Sequence, residues 1–230
     1  MMLRSCVLLL LLAVLAACAS PQPPAEAPSQ GSSLPEFARP HAERMRPEDY
    51  VATDVIRYRP VTRADFRASQ PPARIATNAA RMGAYTCVHI LPVGDPRVKV
   101  QPQPDGSLVA RLGSVQFRAQ MDRGCSWWND EARLDLSYVL EHEQIHFALA
   151  EIQARRLTTE IRSIEIVERN PRLANQEIQG AFDRAAREAT EALVRENTRF
   201  DEETSFRFVP AVQKRWLREV EQQLADLPPQ

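Results

Sequence analysis

The chain has 230 residues, 44% of them hydrophobic, and its 29 basic and 30 acidic side chains leave a formal net charge of −1. That balance excludes the strongly basic surface of a nucleic-acid binder, and the length suits one sizeable domain with its own core.

Residues 1–17 read as a signal peptide. Met1 to Ser5 form a short lead carrying Arg4, and the apolar run from Val7 to Ala17 is too short to span a bilayer. The run ends in Leu15-Ala16-Ala17-Cys18, which resembles the bacterial lipobox, where a lipoprotein signal is cut and the cysteine becomes the acylated first residue. Cys18 is therefore expected to anchor the chain to a membrane by lipid. Ala19 stands where an Asp would resemble an inner-membrane retention signal, so the expected location is the cell envelope, on the outer membrane facing the periplasm. Residues 18–45 then form a tether rich in proline, with Pro21, Pro23, Pro24, Pro28, Pro35 and Pro40, and residues 46–230 form the folded domain.

The first part of that domain favours short strands. A weak strand is predicted around Val55 to Tyr58, and a buried one along the continuous apolar-rich run Ala84 to Leu91. Pro104-Asp105-Gly106-Ser107 is a turn signal, followed by alternation from Leu108 to Met121 through Val109, Arg111, Val115, Phe117 and Ala119. Cys6 leaves with the signal and Cys18 takes lipid, so Cys87 and Cys125 remain as an even pair in an oxidising compartment and are expected to form a disulfide. Trp127 and Trp128, next to Cys125, read either as walls of a substrate groove or as core packed beside that bridge.

From Asn129 the periodicity becomes helical. Asn129 or Asp130 is the expected cap of a helix with Leu134, Tyr138, His142, Ile145, Leu149 and Ile152 on one stripe, continued by Leu157, Ile161 and Ile164. Asn170-Pro171 ends it and starts the next, as cap and first-turn proline. The second helix is predicted to reach about Asn197, with Ile178, Phe182, Ala185, Ala189 and Leu193 along its apolar side and a charged surface from Arg184 to Arg199. A third, from about Pro210 to Ala225, presents Trp216, Val220 and Leu224. Strands first and helices afterwards predict an α+β domain.

The first helix carries His142-Glu143-Gln144-Ile145-His146, an HExxH pentapeptide. A shuffled chain of this composition would contain that pattern less than about once in a hundred trials, so it merits a chemical reading. Residues four apart share a helix face, so two imidazoles can grip one tetrahedral zinc ion, while Glu143 stands beside the open position as a general base. A catalytic zinc usually takes a third protein ligand. The metzincin continuation is absent, since Leu149 and Ile152 occupy the places of its Gly and His. Glu165 and Glu168 further along are alternatives, whereas His41 and His89, the only other histidines, read as a tether residue and a core or edge residue.

The segment Leu140 to Phe147, followed by Ala150-Glu151-Ile152 and Ala154-Arg155, resembles the bacterial family of unknown function numbered 922, described as predicted secreted zinc-dependent proteases. In register with it, Phe200-Asp201-Glu202-Glu203-Thr204-Ser205-Phe206 resembles that family's downstream aromatic-Asp-x-x-Thr-x-His-Gly motif, and Gln213 and Trp216 fit the helix after it. The resemblance spans roughly residues 50 to 225. It implies a zincin-like fold with a small N-terminal β-sheet, a long HExxH helix and two further helices, and zinc-dependent hydrolysis of a peptide or protein substrate in the envelope. The chain departs from the motif at Phe206 and Arg207, which stand in place of its His and Gly. Glu203 is the expected replacement as third ligand, with Asp201 or a glutamate of the first helix as alternatives. Loss of the metal would instead leave a scaffolding or binding lipoprotein. Glu151 and Thr204 are candidates to orient the site, with an exposed, solvated position the simpler reading for Glu151.

Overall fold

A computed structural model describes residues 54–229 except residues 96, 206 and 207. The signal peptide, Cys18, the tether with His41, and the Phe206-Arg207 pair lie outside the described residues. Among the described residues no helix is long and apolar enough to cross a membrane.

Among the described residues eight short strands form three antiparallel sheets. The strands are β1 (Val55–Arg57), β2 (Ala84–Tyr85), β3 (Val88–Gly94), β4 (Val98–Pro102), β5 (Leu108–Leu112), β6 (Val115–Asp122), β7 (Trp127–Trp128) and β8 (Ile166–Glu168). In the first sheet β6 is central, pairing with β1 and, from Val88↔Met121 to Gly94↔Val115, with β3. Its alternation decides its orientation: Val115, Phe117, Ala119 and Met121 are buried while the residues between them are only partly covered.

The expected alternating stretch from Leu108 to Met121 is two strands in two sheets, and the expected strand Ala84 to Leu91 is likewise broken. At the first break Gly113 donates its N–H to Arg97 O at 2.8 Å, and a Cβ on Gly113 would stand only 2.4 Å from Asp95 O. Only glycine permits that backbone approach, so the chain changes sheets there. At the second, Thr86 and Cys87 separate β2, which pairs with β7, from β3. The expected disulfide between Cys87 and Cys125 is present, with its Cα atoms 5.7 Å apart, and Trp127 packs beside it in a cluster with Ile75, Tyr85 and Cys87. The turn signal closes the β4–β5 hairpin, where Gly106 has a φ of +81° and Gln103 N–H donates to Ser107 O.

Three α-helices follow: α1 (Leu136–Ser163), α2 (Pro171–Thr204) and α3 (Pro210–Asp226). The cap of α1 is Asp135, whose carboxylate accepts from Tyr138 N at 2.8 Å, not Asn129 or Asp130. Asn129 is used earlier, its amide donating to Met82 O and Ala79 O, and so Leu134 stays outside the helix and exposed. At its far end α1 stops at Ser163, well before Asn170. The β-branched pair Ile166 and Val167 opens β8, which pairs with β5 as Ala110↔Ile166 and Val109↔Val167. Asn170 caps α2 as expected, accepting from Arg172 N and Leu173 N, but the helix runs seven residues beyond Asn197.

α1 is the structural axis, packed against β3 and β6 on one side and against α2 and α3 on the other. Ile145, Phe147, Leu149 and Ile152 are completely buried, each stabilising the fold by about 1.5–3 kcal/mol. Those side chains fix the rotation of α1, and with it the direction of the polar residues between them. Trp216 and Val220 of α3 are buried against the same core, as the amphipathic pattern requires.

Candidate metal centre

His142 and His146 stand one turn apart on α1, facing the last two turns of α2. There Asn197, Asp201 and Thr204, spaced four and three residues apart, share one face of α2. His146 Nε2 lies 3.1 Å from His142 Nε2 and 3.1 Å from Asp201 Oδ1, and His142 Nε2 lies 3.3 Å from the same oxygen. These two imidazoles and this carboxylate form a group that could hold a metal ion, their ligand atoms all within 4.8 Å of one another. The side chains retain 15%, 13% and 21% exposure for His142, His146 and Asp201, so the cluster is sheltered without being sealed.

The far nitrogens are fixed as well. Asn197 donates its amide N–H to Leu193 O at 2.9 Å, which turns its Oδ1 toward His146 Nδ1 at 2.5 Å and makes that nitrogen a donor. Thr204 donates its hydroxyl to Phe200 O at 2.6 Å, and its oxygen faces His142 Nδ1 at 3.4 Å. Phe200, fully buried, stacks on His142 with ring centroids 4.5 Å apart and meets His146 edge-on at 5.0 Å. Both Nε2 atoms are thereby directed at Asp201.

Burial works against a charged imidazole at His146. The Asp201 carboxylate, by its charge and its hydrogen bond, together with the charge of Glu143 and the Asn197 contact, outweighs it and pushes His146 up to about 9. The group thus calls for a positive charge in its midst, which a proton supplies and which a divalent cation would supply more fully.

Glu143 is 5% exposed, between the two histidines in sequence, and its Oε2 accepts a hydrogen bond from the Thr86 hydroxyl at the β2–β3 break. Gln144, the next motif residue, accepts from Val61 N–H at 2.7 Å and so ties the segment after β1 to α1. The motif's intervening residues are therefore in structural use.

Glu203 does not join the cluster. Its carboxylate accepts from Arg199 Nε at 3.0 Å, Arg215 Nη2 at 2.5 Å and Trp216 Nε1 at 2.9 Å, so it pins α2 to α3. Helical geometry is the reason: two residues beyond Asp201, Glu203 is rotated about 200° from it around α2. The other carboxylate alternatives are also engaged elsewhere. Glu165 pairs with Arg111, and Glu168 lies on β8, where it accepts from the Arg169 N–H. His89 is buried on β3 and stands apart from the group. Glu151 is buried, not solvated, and accepts from Ala119 N–H of β6 at 3.2 Å and Arg155 Nε at 2.9 Å.

Asn197 was not among the residues expected at the site. The signal for it was the polar spacing Asn197, Asp201, Thr204, visible only once α2 is continued past Asn197. Among known proteins, no family model, no curated protein and no solved structure matches this chain.

Proposed function

We propose that this chain is a zinc-dependent metallopeptidase of the cell envelope, with His142, His146 and Asp201 as metal ligands and Glu143 as general base. The observation that carries the reading is the convergence of two imidazole Nε2 atoms on one carboxylate oxygen, at 3.1 and 3.3 Å, beside the buried Glu143 of the same motif. Three protein donors of this kind, leaving a fourth position for water, are the usual set of a catalytic zinc site. Zinc bound there would polarise a substrate carbonyl and make a water molecule acidic near neutral pH.

The residues divide the remaining work. Asn197 and Thr204 hold the imidazoles in the tautomer that presents Nε2. Phe200, fully buried, packs against both imidazole rings and holds them in place. Glu143 takes a proton from the attacking water at its carboxylate and returns it to the departing amine. The resemblance of residues 140–155 and 200–206 to the secreted zinc-protease family, and the zincin-like fold it implies, support the same reading. So does the lipobox at Cys18, which would hold the domain at the outer membrane, facing periplasmic peptide or protein substrates.

A scaffolding role was motivated by Phe206, which stands where the family motif has its histidine. Asp201, already in that motif, offers a third donor without it. The test is metal content and cleavage together: purified protein should carry about one zinc per chain, and Glu143→Gln should keep the metal while losing cleavage of a broad peptide library. Equal cleavage by the two proteins would overturn the peptidase reading, and a chain that takes up no zinc would overturn the metal centre.

A further inference from the structure

We infer that Thr86 is the positioning residue of the Glu143 carboxylate. The inference rests on the reading of Glu143 as general base and adds the means by which that base is aimed. A buried glutamate on a helix has three side-chain torsions to fix, and neither the helix nor apolar packing selects the orientation of its carboxyl plane. Among the described residues one hydrogen bond reaches this carboxylate, from Thr86 Oγ1 to Oε2. A hydroxyl bonded to a carboxyl oxygen is a directional contact, and because it takes Oε2 it leaves Oε1 for a proton in transit.

Thr86 is itself held from both sides. Before it, Tyr85 pairs with Trp127, and its hydroxyl accepts from Arg74 Nε at 2.7 Å. After it, Cys87 donates its N–H to Ser126 Oγ at 3.0 Å, accepts from Asp122 N–H at 2.9 Å, and is bridged to Cys125. Arg74 Nη2 donates to Cys87 Sγ at 3.2 Å. The strand break at Thr86 and Cys87 therefore has a use: it lifts the threonine out of the ladder and points it at α1 from a rigid base. Threonine's branched Cβ restricts χ1, so the hydroxyl is stiff as well as anchored.

Two substitutions separate the hydroxyl from the shape. Thr86→Val keeps the branched volume and removes the donor, and Thr86→Ser keeps the donor. In zinc-loaded protein, Thr86→Val should lower kcat about 10- to 100-fold with KM and zinc content unchanged, the penalty typical of a catalytic group misplaced by about 1 Å, and Thr86→Ser should stay within about threefold of the parent. Crystal structures of the same two variants give a readout independent of activity. The Glu143 carboxylate should leave its place in Thr86→Val and keep it in Thr86→Ser, with His142, His146 and Asp201 unmoved in both. Should valine prevent folding, Thr86→Ala removes the hydroxyl without adding a methyl in its place. An unmoved Glu143 in the valine or alanine variant, or equal displacement in the serine variant, overturns the role of Thr86. If instead the parent protein cleaves nothing, the peptidase reading falls while the crystallographic comparison still decides whether Thr86 aims Glu143.

Discussion

Asn197 Oδ1 stands 2.5 Å from His146 Nδ1, and this contact decides which imidazole nitrogen faces Asp201. The asparagine amide is oriented in turn by its own bond to Leu193 O, one turn back along α2. The chain of contacts runs from helix backbone to amide to imidazole, so the geometry of the candidate metal site is set by the packing of α2 on α1.

Asn197→Leu should therefore weaken zinc binding about 10- to 100-fold while preserving the fold, because leucine is close in size and the position is buried. Competition with a chromophoric chelator measures it. Unchanged affinity would mean that His146 holds its orientation without the amide.

Asp201 and Glu203 are two residues apart and face different partners, so substituting each separates the proposed ligand from the strut between α2 and α3. Asp201→Asn should cost at least about 100-fold in zinc affinity, more than the loss of an outer hydrogen-bond partner. It should also cut the thermal stabilisation expected from zinc, from about 4 kcal/mol in the parent at a thousandfold excess of free ion over Kd to about 1.4 kcal/mol or less in the variant. Glu203→Gln should keep full zinc binding and lose about 1 kcal/mol of stability, through the weakened contacts to Arg199, Arg215 and Trp216. Differential scanning calorimetry with and without zinc reads both; the opposite pattern would make Glu203 the ligand.

The parts of the molecule legible in the sequence are those governed by local chemistry. The HExxH helix, the Asn170-Pro171 start of α2, the turn at Gly106 and the Cys87–Cys125 pairing all follow from periodicity, capping or cysteine arithmetic. The errors fall where tertiary contacts decide. β8 was hidden because Ile164 to Val167 continues the apolar count of α1, and only pairing with β5 draws it into a strand. Glu203 was the expected third donor, whereas the carboxylate that stands with His142 and His146 is Asp201, on a part of α2 beyond its expected end near Asn197. Packing of Leu193, Phe200 and Thr204 against α1 carries the helix through a stretch of modest propensity, and that continuation places Asp201 inward and Glu203 outward. Thr86 left no trace in the motif, since its contact with Glu143 spans 57 residues.

The disulfide spans 38 residues and joins the two segments that position Thr86 and Trp127. Restricting a loop of that length in the unfolded chain contributes about 4 kcal/mol in the chain-entropy picture. Cys87→Ser with Cys125→Ser should lower Tm by roughly 8–16 °C, at about 2–4 °C per kcal/mol for a domain of this size. The measurement is a thermal melt of the oxidised parent beside the double variant. A shift below about 2 °C would show that the hydrophobic cluster around Trp127 holds these segments without the bridge.

Asp65 is the carboxylate whose ionisation bears most directly on acid stability. Burial works to raise its pKa, yet the Arg59 guanidinium, bonded to both oxygens at 2.6 and 2.9 Å, and the Thr62 N–H and hydroxyl hold it at about 2. The ordinary value is 3.8, so the folded state binds this proton less readily than the unfolded chain. Its contribution, about 2 kcal/mol before allowing for the partly exposed Arg59, is fully present above pH 4 and is lost as pH falls from about 4 to about 2. Asp65→Asn should remove that part of the pH dependence and lower stability at pH 7 by about 1–2 kcal/mol. Because this loop is tied to α1 by Val61 N–H and Gln144, the loss should loosen the turn beside the motif first. Urea titrations of the parent and Asp65→Asn at pH 7, 4 and 2.5 measure the difference. The gap between the two should shrink to roughly a third of its pH 7 size at pH 2.5, and a constant gap across all three would show that Asp65 acts through packing and not through its charge.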